Sequence, residues 1–200
     1  MGTLLVVENV SLDGVAQSPG RPDEDTRDGF DRGGWASTWF ARDPEAAQAA
    51  MSGGGETSAF LLGRRTYDDL VGHWLTTPEP NPFADVLRST PKHVATRSTD
   101  PLPHPASQRL GDDLVASVTA LKRDVDGEIV VLGSIRLVHA LAAARLVDAY
   151  LLTTVPVVLG GGLRLFDGVP ADLEVSGATV SPRGALTATY RVLPGPDGAD

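Results

Sequence analysis

Cysteine is absent from the 200 residues. Disulfide staples and thiolate metal sites are therefore excluded, and the chain is compatible with a reducing cytoplasm. The four histidines, His73, His93, His104 and His139, are scattered with no ligand spacing, so no metal is expected. No apolar stretch reaches the roughly 18 residues that a membrane helix needs. Thr3 to Val10 is too short for a secretory leader and runs straight into Ser11-Leu12-Asp13-Gly14. The expectation is a soluble, cytoplasmic protein that makes no membrane contact. Positive charge is scarce as well: 17 Lys and Arg face 26 Asp and Glu, for a formal charge of -9. No basic stripe with interleaved aromatics appears, which argues against nucleic acid as a partner. Nothing reads G-x-G-x-x-G after a strand, and a Walker A loop is missing. Any phosphate site must be local and built differently.

What is present suits one core. Hydrophobic residues make up 42% of the chain, enough for a single domain over residues 1–193 followed by a flexible tail over 194–200. Short β runs alternate with helical stretches. Strands are expected over 3–10, 59–62, 92–96, 128–132 and 148–155, with a final hairpin over 173–180 and 185–193 joined by Ser181-Pro182-Arg183-Gly184. Helices are expected from Asp43-Pro44-Glu45 to Gly53-Gly54-Gly55, from 64 to 71, from a cap at Asp112 or Asp113 to about 123, and over 135–144. The polar segment 11–34 is long for a loop in a compact domain, and such loops are usually functional or mobile. Residues 76–82 form a Pro-rich connection.

Strand and helix alternation ending in a hairpin implies an α/β fold: a mostly parallel central sheet, helices on both faces, and antiparallel strands at one edge. Sheets of this kind bind ligands at the carboxyl ends of their strands. In Ala59-Phe60-Leu61-Leu62-Gly63-Arg64-Arg65-Thr66-Tyr67, a buried strand ends in glycine and opens into a helix bearing two arginines and a hydroxyl. Free N–H groups and the positive end of the helix dipole suit a phosphate there. Gly133 repeats the device after the strand over 128–132. Two helix N-termini could thus surround one diphosphate, the plain alternative being ordinary turns and solvated arginines.

Ser11-Leu12-Asp13-Gly14, LLGRRTY at 61–67, VLGS at 131–134, LVDAYLLTTVPVVLGGGLRLF at 146–166 and the final hairpin together resemble the dihydrofolate reductase superfamily. The similarity is greatest to the branch that includes the C-terminal reductase domain of the bifunctional riboflavin-biosynthesis deaminase/reductase, and it covers nearly the whole chain. The resemblance implies a three-layer dihydrofolate-reductase-like fold and an NADPH-dependent reductase. Gly63, Arg64, Arg65 and Thr66 would meet the cofactor phosphates. Thr96, Arg97 and Ser98 would meet the adenosine ribose and its 2′-phosphate, which favours NADPH over NADH. Gly133, Ser134 and Ile135 would let the backbone approach the diphosphate. Val10, Gly14 and Ala16, with Asp13, would border the nicotinamide.

The substrate side is more open. Reducing a C=N bond requires a proton at nitrogen. Asp13 is the catalytic candidate, with an Asp-Gly turn role as the alternative. Asp43 precedes Pro44 and is better explained as an N-cap than as the carboxylate that grips a pteridine. Trp35 and Trp39, with Phe40, could stack on a flat heterocycle, or serve as core or an oligomer contact. The chain departs from the pyrimidine-reductase pattern: Leu132 and Ala149 stand where acidic residues are commonly found, and no deaminase domain is present. The expected activity is therefore hydride transfer to a small heterocyclic or conjugated C=N or C=O substrate, in the manner of 5-amino-6-(5-phosphoribosylamino)uracil reductase or dihydrofolate reductase. The alternative is a catalytically idle module that binds NADP(H) or a small ligand. Composition suggests a bacterial source. The edge strands of the hairpin need protection, which together with family habit suggests a homodimer.

Overall fold

The computed structural model describes residues 1–52, 56–77 and 82–195. The triple-glycine stop, most of the Pro-rich connection and the last five tail residues lie outside these. Eight strands form one mixed sheet: β1 (Thr3–Ser11), β2 (Thr57–Gly63), β3 (Lys92–Ala95), β4 (Ser107–Arg109), β5 (Glu128–Leu132), β6 (Ala149–Val155), β7 (Leu173–Val180) and β8 (Leu186–Val192). Their order is β4-β3-β2-β5-β1-β6-β8-β7. β2 runs parallel to β3 and β5, and β3 parallel to β4. β8 runs antiparallel to both β6 and β7, which is the hairpin expected from the tail. Among the described residues the helices are α1 (Trp35–Phe40), α2 (Pro44–Ser52), α3 (Arg64–Thr66), α4 (Gly72–Thr76), α5 (Pro82–Ser89), α6 (Leu114–Asp124) and α7 (Ile135–Ala143). The α/β class and the dihydrofolate-reductase-like arrangement are those expected.

The chain divides into two compact units, residues 1–5 with 55–146 and residues 6–54 with 147–200. In the first, Ala59, Phe60, Leu61 and Leu62 are all buried. A strand with another strand on each side and cover on each face reads as a continuous apolar run rather than an alternating one. A π-helical turn over Tyr67–Val71 joins α3 to α4, so the helical stretch reaches Thr76 rather than stopping at residue 71. Asp113 caps α6 by accepting from the Ala116 N–H at 3.0 Å, and Lys122 and Arg123 in its last turn oppose the dipole. Lys92 is fully buried at the start of β3, and its ammonium donates to the carbonyl oxygens of Leu87, in the last turn of α5, and of Thr90 just past it.

In the second unit, Val15, Phe30, Trp35, Ala36, Val155 and Leu159 form a core cluster, with Trp39 and Phe40 packed against it. Asp43 is buried and accepts from the Ala46 N–H at 3.3 Å, the N-cap geometry expected for it. Its other oxygen accepts from Ser181 Oγ at 2.6 Å, tying α2 to the turn of the hairpin. β7 differs from every other long strand. All of its residues after Leu173 are exposed, on both faces, including Val175 and Val180.

Candidate functional site

In the first unit, the two strand-end turns singled out by their glycines come together through one hydroxyl. Ser134 Oγ accepts from the Gly63 N–H at 2.8 Å and donates to Thr66 Oγ1 at 2.7 Å. Gly133 and Ser134 are both left-handed, with φ of +61° and +63°, a conformation that costs an ordinary residue energy. A Cβ on Gly133 would stand 3.0 Å from the Thr66 methyl, and one on Gly63 would stand 2.6 Å from Ser134 Oγ. The glycines are thus fixed by the close approach of the two turns. Leu137 and Val138 donate their N–H groups back to the Ser134 carbonyl. The Ile135 and Arg136 amides make no hydrogen bond among the described residues and remain available at the positive end of α7. Gly63, Thr66, Gly133, Ser134 and Ile135 are therefore brought together at the two turns.

The arginines divide. Arg64 is held in place: Nε meets both carboxylate oxygens of Asp68, at 2.9 and 2.8 Å, and the two terminal nitrogens donate to the carbonyls of Asp100 and Pro101. It clamps the start of α3 onto the 100–101 segment. Arg65 is exposed. After β3, Thr96 Oγ1 accepts from the Ser98 N–H, while Ser98 Oγ bonds the N–H and the carboxylate of Asp100. This turn is closed on itself and leaves Arg97 exposed, with no ion pair among the described residues.

In the second unit, Asp13 is a hub. Its carboxylate accepts from Ser11 Oγ at 2.7 Å, from the Leu159 N–H at 3.1 Å and from the Gly160 N–H at 2.8 Å. The Ser11 hydroxyl and the two amides hold its pKa down, from 3.8 to about 2. A group so held accepts hydrogen bonds and has no proton to give near neutrality. Gln17 works alongside it. Its Oε1 accepts from the Leu163 N–H at 2.9 Å, and its Nε2 donates to the Asp25 and Arg27 carbonyls. Backbone bonds from Leu12 to Val157, Ala16 to Leu163 and Leu165 to Gly14 complete the seam between the start of the long loop and the Leu159-Gly160-Gly161-Gly162 segment. A cavity of about 320 Å³ opens beside it, lined by Gln17, Arg27, Phe30, Arg32, Leu159 and Gly162 among others.

Val10 and Ala16 are buried, and Gly14 is partly exposed with φ of +82°. Trp35 is a core residue whose indole N–H donates to the Gln17 carbonyl at 2.9 Å. Trp39 is partly buried, and its indole nitrogen, although buried, has no partner among the described residues. Sequence reasoning missed the roles of Gln17 and Ser181, and no motif marks either. Among the described residues, no helix is long and apolar enough to cross a membrane.

No curated protein matches the sequence. Many solved structures share the fold, among them the following three. A candidate riboflavin biosynthesis protein from Shewanella sp. PV-4 is 17% identical, with a TM-score of 0.60 over 97% of this chain and 100% of the other. Dihydrofolate reductase from Enterococcus faecalis, in a complex with NADP(H) and RAB-propyl, is 16% identical, with a TM-score of 0.61 over 96% and 98%. A pyrimidine reductase-like protein from Corynebacterium diphtheriae is 13% identical, with a TM-score of 0.58 over 97% and 93%. Residues 3–186, from the first strand to the start of the last, match the RibD C-terminal domain, and the chain belongs to that family.

Proposed function

We propose that the chain is an NADPH-dependent reductase that transfers hydride to a small heterocyclic or conjugated C=N or C=O substrate. The observation that carries this reading is the joined pair of turns at Gly63 and Gly133. Two left-handed residues, where a Cβ at Gly133 would crowd the Thr66 methyl at 3.0 Å, expose free amides at the N-terminus of a nine-residue helix. Such a cradle fits a diphosphate. When bound, the cofactor supplies the hydride. The chain's own residues do the rest: the Ile135 and Arg136 amides hold the diphosphate, and Ser134 and Thr66 keep the turn rigid. Arg97 offers an unpaired guanidinium to the 2′-phosphate. Arg65 adds positive charge beside the phosphates, and Arg64 acts indirectly, by locking α3 through Asp68.

In this reading Asp13 is a positioning residue. It holds Gly14, Ala16 and the neighbouring Val10 in the shape that borders the nicotinamide, while the proton for the reduced atom comes from elsewhere. Trp39, whose buried indole N–H has no partner among the described residues, is the better placed of the two tryptophans to meet a flat substrate, since the Trp35 N–H is already bonded in the core. The exposed β7 edge makes a homodimer part of the proposal. The test is oxidation of NADPH, followed by absorbance, in the presence of pterins, aminopyrimidines and conjugated carbonyls. Turnover of at least one class is expected. Tight NADPH binding with no turnover of any would replace the reductase by an idle NADP(H)-binding module.

A further inference from the structure

β1 carries a polar side chain that none of the interactions above uses. The strand lies inside the sheet, between β5 and β6, so neither of its lateral edges is open. Along it, Leu4, Val6, Glu8 and Val10 alternate on one face, all of them buried, at 0, 0, 7 and 6% exposure. Leu5, Val7 and Asn9 share the other face. Leu5 is buried, but Val7 and Asn9 are partly exposed. Between the exposed Thr3 at its start and the buried Ser11 at its end, this face is thus open at Val7 and Asn9, in the carboxyl half of the strand just before Ser11-Leu12-Asp13-Gly14. Exposure in an interior strand comes from a gap in the layer above, and such gaps at carboxyl ends are where sheets of this class take ligands.

Asparagine is disfavoured in strands. Asn9 makes no side-chain hydrogen bond among the described residues. Its amide has two donor hydrogens and a two-lone-pair acceptor. A side chain that both gives and takes in one plane complements another amide. We infer that Asn9 reads a carboxamide on a ring lying over Val7 at the carboxyl end of β1, pairing N–H to C=O in both directions. Two rings carry that chemistry: the nicotinamide, through its carboxamide, and a heterocyclic substrate, through a ring –C(=O)–NH– unit. The inference rests on the reductase reading above.

The test uses the wild-type chain, Asn9→Leu, which keeps size and removes hydrogen bonding, and Asn9→Asp, which keeps the acceptor and removes the donor. Circular dichroism establishes that each is folded. The probes are NADPH, its 3-acetylpyridine analogue, which lacks the amide N–H donors, and uracil as a free cyclic imide. If Asn9 reads the cofactor, wild type binds NADPH about tenfold tighter than the analogue, the worth of one or two hydrogen bonds. Asn9→Leu then loses that preference, while Asn9→Asp, which still accepts from the amide N–H, keeps it and weakens for both ligands. If Asn9 reads the substrate, NADPH binding is unchanged in the variants and uracil binding weakens about tenfold. Equal binding of all three probes by wild type and both variants would overturn the inference while leaving the reductase reading in place. Failure of wild type to bind NADPH counts against that reading, and the uracil arm still decides Asn9. Failure to bind either removes both.

Discussion

Replacing Asp13 by Asn removes the charge at the centre of the loop seam and leaves the shape. The carboxylate accepts from one hydroxyl and two backbone amides; the Asn side chain has one acceptor oxygen and turns an NH2 group toward at least one of those donors. Lowering the Asp13 pKa from 3.8 to about 2 corresponds to at most about 2.4 kcal/mol of folding free energy at neutral pH. Because the side chain is only partly buried, solvent screening reduces this to about 1–2 kcal/mol. The folded-state value lies below the unfolded one, so between about pH 2 and 4 the unfolded chain binds the extra proton. The stabilisation is therefore present above that window and is lost as pH falls through it. Urea unfolding of wild type and Asp13→Asn at several pH values between 2 and 7 measures it directly. The difference should be about 1–2 kcal/mol at pH 7 and should shrink steadily below pH 4. Other acids titrate alike in both proteins and cancel. A difference independent of pH, or under about 0.3 kcal/mol at neutrality, would refute a charge-based seam.

Ser134→Ala strands the Gly63 N–H and the Thr66 hydroxyl and should cost about 1–2 kcal/mol in urea unfolding, with weaker NADPH binding in the same variant. Burial lowers the Lys92 pKa below 10.5, so the unfolded chain holds the proton more tightly. Stability should rise with pH in the window below 10.5, and Lys92→Met should abolish that rise, as read from urea midpoints. β7 exposes Val175 and Val180 on an unpaired edge, and light scattering should find a dimer that Val175→Asp with Val180→Asp converts to monomer.

The strands ending in glycine were legible because their signals are local: an apolar run, a turn residue and a helix start lie within ten positions. Asp113 and Asp43 as caps, and the hairpin after Asp172, were legible for the same reason. The short elements were not. α1 has six residues, three of them aromatic, and no helical period; α5 follows a Pro-rich stretch, and β4 has three residues. The meaning of the charged residues was hidden by distance along the chain. Arg64 looks like a phosphate ligand until Asp100 and Pro101, 36 and 37 residues away, claim its terminal nitrogens. Asp13 looks like an acid until two amides 146 and 147 residues away hold it ionised. Arg97 has the least around it: it is exposed and makes no ion pair among the described residues.

That makes Arg97 the place to test the central claim. Fluorescence titration of NADPH and NADH against wild type and Arg97→Ala measures cofactor binding and recognition of the 2′-phosphate together. Wild type should bind NADPH at least about tenfold tighter than NADH, as one or more charge-assisted contacts to the 2′-phosphate would give. Arg97→Ala should bind the two cofactors alike, with NADH affinity unchanged. Equal affinities in wild type, or no binding of either cofactor, would contradict it.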